Sequence, residues 1–428
     1  MKRIISCLTV IVIILGSLTA CSVKIADGNK FGGNYYISSM VADMLEKNSY
    51  YDHTLSDEAL AKAIVEEYRK KTGDKYAEFF TAEEFSAASS TNQGKTQGIG
   101  ITIIENKEYS CVEIVSVVKG SPAYESGVEP GDLIVQVGIG DEAQKISDIG
   151  YDAALEKLKG EEGTVCKFGV VRNGDFENII EFSVERRKYT SVSVIYDVSS
   201  QNAAVGIIKI TNFDLTTPNQ FKQAMTELTG KGCNSFIYDV RDNPGGDLAS
   251  IRAILSYFLN KDDVIIIQES ANGKKDTTYC SKITYDDKNG YNACNVAESD
   301  IGMYRKYPIA VLTNGSTASA AELFTGTLKS YGLATIVGEN TFGKGCVQTT
   351  YPLYYTDGTI CGAIKMTTTF YSPFGMENYH GVGIAPTEGY SIELSDEAKA
   401  YNIYKLMYPE YQHLDNQLSA AVTAITNK

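Results

Sequence analysis

The stretch Ile309-Ala310-Val311-Leu312-Thr313-Asn314-Gly315-Ser316-Thr317-Ala318-Ser319-Ala320-Ala321-Glu322-Leu323-Phe324 reads as an apolar strand, a turn of small residues and the head of a helix. Ile309–Thr313 has the length and branching of a strand, while Leu323, Phe324 and Leu328 recur at helical spacing. Ser319 therefore falls at a helix N-terminus, where free N–H groups and the helix dipole would stabilise an alkoxide or a tetrahedral oxyanion. The same residues satisfy Ser319-x-x-Glu322, a capping box, so this segment alone leaves Ser319 as either a cap or a nucleophile.

Outward from it the same alternation continues. Val205–Ile210 reads as a strand, and Thr217-Pro218-Asn219-Gln220 starts a helix with proline in its first turn. Phe221, Met225 and Leu228 form the apolar stripe of that helix, which ends at Gly230. Residues 236–240 read as a strand, and Leu248, Ile251, Ile254, Leu255 and Phe258 mark another helix. Strands and helices in alternation over residues 188–395 predict an α/β layer.

Two further segments of this block carry chemical character. In Gly343-Lys344-Gly345-Cys346-Val347-Gln348 a lysine stands between two glycines that let backbone approach closely. Burial there would lower the ammonium pKa, so that the free amine could take a serine proton. In Asp239-Val240-Arg241-Asp242-Asn243-Pro244-Gly245-Gly246, at the end of a strand, a glycine pair could turn N–H donors toward a reacting carbonyl.

Residues 96–187 form a separate block of short strands with glycine punctuation and a helix near residues 151–158. Its Gln97-Gly98-Ile99-Gly100-Ile101, Ser121-Pro122-Ala123 and Pro130-Gly131-Asp132-Leu133-Ile134 resemble a PDZ domain in content and order. That resemblance implies that the loop at Gly98, Ile99, Gly100 and Ile101 closes on a peptide carboxylate, while the following strand accepts the peptide as an added strand. Residues 35–95 read as a helical region, from Met40, Val41, Met44 and Leu45 and then Leu60, Ile64 and Tyr68, with the polar run 86–95 as a linker. Residues 396–428 read as a helical tail.

Taken together, the segments around Ser319, Lys344 and Gly245-Gly246, with the PDZ-like block, resemble the carboxyl-terminal processing peptidases, also called tail-specific proteases, over nearly the whole mature chain. The resemblance implies an α/β multidomain protein with a crotonase-like peptidase core, an inserted PDZ domain and a helical N-terminal segment. It implies Ser319 as nucleophile, Lys344 as general base and Gln348 as the group orienting the lysine. The oxyanion donors would be the N–H of Ala320 and that of Gly245 or Gly246. Gly383-Ile384-Ala385-Pro386 resembles the family's closing segment, and residues 74–85 its stretch before the PDZ domain. Substrates would be proteins or peptides with apolar C-termini, with no metal or cofactor, and self-association through terminal helices would be in keeping with the family. The chain departs from the pattern at Thr317, for the commoner serine, at Lys159, for an arginine, and at Thr387, for an aspartate.

The first residues follow another logic. Met1-Lys2-Arg3, an apolar run to Gly16 and Leu18-Thr19-Ala20-Cys21 resemble a bacterial lipoprotein signal, which implies cleavage before Cys21 and lipid on its sulfur. Residues 21–34 would then be a tether, and the protein would be anchored to the membrane outside the cytoplasm. A net charge of −14 argues against nucleic acid as a partner. Of nine cysteines, seven remain after Cys7 and Cys21, and Cys280 and Cys294 could form a local disulfide.

Other readings are less well supplied. A Ser-His-Asp hydrolase would have to draw on His53, His380 or His413, of which only His380 falls in the α/β block. A non-catalytic lipoprotein capturing protein tails would leave the Ser319, Lys344 and Gln348 set without a purpose. An acyl-transfer enzyme on the same core would lack a nucleotide-binding loop.

Overall fold

The computed structural model describes residues 56–118, 120–285, 291–355, 357–401 and 403–426. The signal segment, Cys21, the tether, His53 and the helix anticipated around Met40–Leu45 lie outside the described residues. The chain forms two units, one of residues 90–266, 277–345 and 372–428, the other of the described residues up to 89 with 267–276 and 346–371.

In the first unit the apolar runs assemble one five-stranded sheet in chain order, β1 (Val194–Val198), β2 (Val205–Ile210), β3 (Ser235–Asp239), β4 (Ile309–Thr313) and β5 (Ala334–Gly338). β1 is antiparallel to β2 and all later pairs are parallel. The crossovers carry helices α1 (Thr217–Gly230), α2 (Leu248–Ser256) and α3 (Ala320–Ser330). Right-handed crossovers that always step the same way put their helices on one face, so the other face needs separate cover. Helix α4 (Asn416–Thr426) supplies it: Ile207, Ile237, Ala310 and Leu312 pack with Leu418, Ala421, Val422 and Ile425. Each valine, leucine or isoleucine among them contributes about 1.5–3 kcal/mol on burial. The residue next to Ile237, Tyr238, points the other way and lies 5.4 to 5.7 Å from Phe221, Phe258 and Phe324 of the helical layer. Burial on both faces is why these strands read as unbroken apolar runs.

The described residues of the Tyr-rich stretch 279–304 pack on the helical layer. Tyr304 lies 6.0 to 6.1 Å from Phe221, Tyr257 and Phe258. Cys280 and Cys294, which could have formed a local disulfide, are not joined. Both are buried free thiols, Cys280 facing the carbonyls of Ser256 and Leu259 and Cys294 that of Leu215. Both cysteines are thus held in core, each thiol packed on different carbonyls.

The PDZ block has its own sheet, with strands Ile101–Asn106, Cys111–Val117, Leu133–Val137, Val165–Val171 and Ile180–Glu185 in that order. Its core contains Ile99, Val112, Ile114, Ile134, Phe168 and Val184. The chain enters and leaves through strands Lys95–Gly98 and Arg187–Thr190, which pair antiparallel.

In the second unit, helix Asp57–Thr72 starts at a Ser56 cap and ends at Gly73 in the left-handed region. Asp74 then ties the segment to strand Ile360–Ser372, accepting both the N–H and the hydroxyl of Thr367 at 2.9 Å. The polar run 86–95, read as a linker, is mostly helical. Most of it lies in helix Ala82–Asn92, started by a reciprocal pair in which Thr81 N–H donates to Glu84 Oε2 and Glu84 N–H to Thr81 Oγ1.

Candidate active site

The loops leaving β3 and β4 meet at the carboxyl ends of the parallel strands, the edge at which open α/β sheets bind ligands. Their union is dense. Thr317 Oγ1 donates to Val240 O (2.8 Å), Ala318 N–H to Asn243 O (2.9 Å), and Asp242 and Asn314 exchange two hydrogen bonds of 3.0 and 2.8 Å. Thr317, the first departure from the family pattern, is therefore a buried hydroxyl that sutures the two loops. A second departure, Thr387, uses its hydroxyl to accept Ile336 N–H at 2.9 Å on β5. The third, Lys159, is an exposed partner of Glu156. The guanidinium at that end of the PDZ helix belongs instead to buried Arg186, which donates to the carbonyls of Lys157, Leu158 and Lys159.

Ser319 is unlike the other serine caps of this chain. Ser56, Ser121 and Ser395 have φ between −63° and −79° and extended ψ, the ordinary N-cap geometry. Ser319 has φ 56° and ψ −118°. For a residue bearing a Cβ such a conformation costs on the order of 1–3 kcal/mol and persists only where surrounding structure enforces it.

Glu322 does the enforcing. Its carboxylate is fully buried in the first turn of α3 and accepts four hydrogen bonds. Oε2 takes Ser319 N–H (2.9 Å) and Lys344 N–H (2.7 Å), while Oε1 takes Gly343 N–H (2.7 Å) and the Thr341 hydroxyl (2.6 Å). One side chain thus fixes the serine turn and the lysine loop to each other. The closing segment braces the lysine loop from behind: Ile384 N–H donates to Thr341 Oγ1 (2.7 Å), Gly381 N–H to Gly343 O (2.8 Å) and Asn378 Nδ2 to Gly345 O (2.9 Å). Lys344 itself is half-buried. His380 lies in that bracing segment, its N–H donated to Asn378 Oδ1.

The glycine pair separates into two jobs. A Cβ on Gly245, whose φ is 105°, would stand 2.7 Å from Ser319 Cβ and 2.8 Å from Ala320 N, so the chain passes the serine at a distance only glycine permits. The Gly245 N–H is already given to Asn243 Oδ1 at 2.8 Å. Gly246 N–H and Ala320 N–H are engaged by no other group among the described residues.

Gln348 lies in the second unit, on strand Cys346–Tyr354, where its amide donates to Cys346 Sγ (3.2 Å) and Thr367 Oγ1 (3.4 Å). In the PDZ block Gly98 closes the entry strand opposite Arg187, Ile99 is core, and the carbonyls of Ile99 and Gly100 accept Ala123 and Val118 N–H. Ile101 begins a strand that is the edge of its sheet.

Beneath the β3 loop lies a buried charge cluster that the sequence did not announce. Arg241 makes two bonds to Asp239 (3.0 and 2.6 Å), one to Asp415 (2.8 Å) and one to Gln417 (3.0 Å), and Lys209 Nζ donates to Arg241 O (2.9 Å). Burial pushes the Asp239 carboxyl up, but Arg241 and Lys209 outweigh it and hold it below the usual carboxylate range. Burial pulls the Lys209 ammonium down, with Asp239 opposing. Among the described residues no cluster of three or more metal-ligating side chains occurs.

Comparison with known proteins matches residues 204–389 to Peptidase family S41 and residues 89–166 to the PDZ domain. The two matches follow one another in the chain, the PDZ match first. The S41 match contains Ser319, Glu322, Lys344, Gln348 and both glycines. A probable CtpA-like serine protease of Staphylococcus saprophyticus is 28% identical over 339 residues, covering 79% of this chain and 62% of the relative. One from Staphylococcus aureus is 29% identical over the same extent. The chain therefore spans less than two thirds of the length of these relatives. The structure of a putative S41 protease from Bacteroides fragilis matches with a TM-score of 0.56 at 15% identity, over 93% of this chain and 98% of that one, and shows the shared S41 fold.

Proposed function

We propose that this S41 protein is a serine endopeptidase that cleaves extracytoplasmic proteins after capturing their C-terminal tails in the PDZ domain. The observation that carries the reading is Ser319, held in the left-handed region at the head of α3 by the same carboxylate that anchors the Lys344 loop. A cap needs no such strain; a nucleophile that must stand clear of its helix does.

In the proposed cycle a tail with an apolar terminus adds as a strand to the edge Ile101–Asn106, its carboxylate at the loop from Gly98 to Ile101. The upstream chain reaches Ser319. The neutral Lys344 amine takes the hydroxyl proton as Ser319 Oγ bonds to the scissile carbonyl carbon. Ala320 N–H and Gly246 N–H receive the oxyanion, Gly245 serving by its lack of a side chain. The proton passes to the departing amine as the C–N bond breaks, and water then cleaves the acyl-enzyme and restores Ser319. An amine base works only when neutral, so the rate rises with pH through its titration. Chelators should leave the rate unchanged.

The test compares wild type, Ser319→Ala and Lys344→Ala on an unfolded reporter with an apolar C-terminus. Both variants should bind the tail and cleave at most about 10⁻³ as fast as wild type. Binding without cleavage by the wild type would turn the reading to a tail-capturing adaptor, and a profile titrating near pH 6.5 that vanishes in His380→Ala would move the base to histidine. We further propose that lipid on Cys21 anchors the protein to the outer side of the cell membrane; a Cys21→Ala variant should leave the membrane fraction and incorporate no labelled fatty acid.

A further inference from the structure

The chain enters the PDZ block directly beside the proposed oxyanion donor. Asn92, the last residue of helix Ala82–Asn92, gives its side-chain N–H to Asp247 Oδ2 at 2.8 Å. Asp247 follows Gly246 in sequence, is buried and caps α2 by accepting Ala249 N–H on Oδ1 at 2.7 Å. Its own N–H donates to Phe213 O at 2.6 Å. The peptide that carries the free Gly246 N–H has its carbonyl, Gly245 O, on Phe213 N–H at 2.8 Å, and the next peptide returns Asp247 N–H to Phe213 O, so Gly246 is held between two bonds to Phe213, the second of which moves with Asp247. Asn92 is in turn fixed on the linker side. Its carbonyl accepts Leu215 N–H (2.9 Å), the Gly94 carbonyl accepts Ser191 N–H (2.8 Å), and the entry and exit strands pair immediately beyond.

Among the described residues, Asn92 is the one side chain from which the Asp247 carboxylate draws a hydrogen bond. Burial pushes this carboxyl up and the nearby Asp214 adds to the push, while Asn92 and the backbone of Ala249 and Ser250 oppose it. A buried carboxylate stripped of one donor is left under-solvated, which the loop can relieve by shifting.

We propose that Asn92 is a positioning residue for the peptidase reaction: through Asp247 it holds the Gly246 N–H on the oxyanion, and it ties that donor to the chain segment leading into the PDZ domain. The inference rests on the Ser319 peptidase reading. It assigns Asn92 no contact with substrate, so its loss acts on the transition state and not on tail capture.

The experiment measures kcat, KM and PDZ tail affinity for wild type, Asn92→Ala and Asn92→Asp from pH 5.5 to 9. Asn92→Ala should lower kcat about tenfold, short of the about 10²–10³ that follows outright loss of an oxyanion donor, with KM and tail affinity within about twofold of wild type. Asn92→Asp sets a second carboxylate against Asp247. At high pH it should be worse than Asn92→Ala, and its rate relative to wild type should recover as pH falls and the pair retains a shared proton. The titratable groups around Asp247 are Asp214, Tyr285, Tyr291 and Cys294, all present in wild type, so the ratio cancels them. An unchanged kcat in Asn92→Ala, a pH-independent Asn92→Asp ratio, or losses that only track the folded fraction would overturn the inference. Absence of Ser319-dependent cleavage in the wild type would overturn the peptidase reading with it, whereas normal wild-type cleavage beside an unaffected Asn92→Ala sinks this inference alone.

Discussion

At the scale of single residues, the site depends on two features that oppose ordinary backbone preference. Gly245 approaches Ser319 so closely that a methyl group has no room, and Ser319 occupies a conformation usually left to glycine. Gly245→Ala should cut kcat by at least about 10²-fold, by displacing Ser319 and the Ala320 donor, while circular dichroism and tail binding remain those of wild type. Glu322→Gln keeps the shape but replaces one acceptor oxygen by a donor among four groups that all donate. A kcat loss of about tenfold or more is expected, with part of the Ser319 strain released, and a rate within twofold of wild type would show that the four bonds are not what holds the two loops. Ser319, Lys344 and the glycine pair drew notice in the sequence as a set, since Ser319 alone reads equally well as a helix cap. Glu322 was legible only as half of a capping box. Its bonds to residues about twenty positions onward come from the α3–β5 crossover, which no local pattern encodes.

At the scale of elements, strands and helices of the S41 domain could be read from period and branching, since nearly every one is an apolar run or an amphipathic stripe. Two elements do more in the fold than their sequence suggests, for opposite reasons. Helix Ala82–Asn92 hides in a polar Ser/Ala/Thr run, though the Thr81-x-x-Glu84 pair announces it. Helix α4, read as a tail, is half of the sheet's cover, because its apolar stripe has no visible partner until the sheet is assembled. Its head is fastened by Asp415 to Arg241, and Arg241 pairs with Asp239 at the end of β3. Arg241→Met would strand two buried carboxylates and should lower stability by about 3–5 kcal/mol in urea unfolding at pH 7, with α4 the first segment to exchange its amides. The wild type has its own pH signature. Asp239 titrates lower in the fold than its unfolded value near 3.9, so its contribution is complete above that value and disappears as pH falls through the lower, folded one. Urea midpoints insensitive to pH down to about 4 and dropping below it are expected from this group; a midpoint that rises on acidification would mean that burial, not Arg241, controls the carboxyl.

At the scale of the whole molecule, the proposed location outside the cytoplasm sets a chemical problem, because oxidising compartments favour disulfides and this chain holds seven free thiols among its described residues. Six are buried and only Cys361 is half-exposed. Thiolate, not thiol, is the reactive form, and burial works against it throughout: the Cys111 thiol is pushed up to about 11 by burial and then by Glu113, and Cys166, Cys233, Cys280 and Cys294 are raised for the same first reason. A protein so arranged keeps its thiols by packing them, with no reliance on the surrounding redox potential. In the chain lacking its first 21 residues, an aromatic disulfide reagent at pH 8 should therefore modify about one thiol quickly, at Cys361, and all seven only after unfolding. Reductant should leave the melting temperature where it was. A two-dalton deficit in a non-reduced peptide joining Cys280 to Cys294 would mean that the stretch between them is stapled after all, and the core contacts of Tyr304 and Cys294 would then be insufficient to hold it.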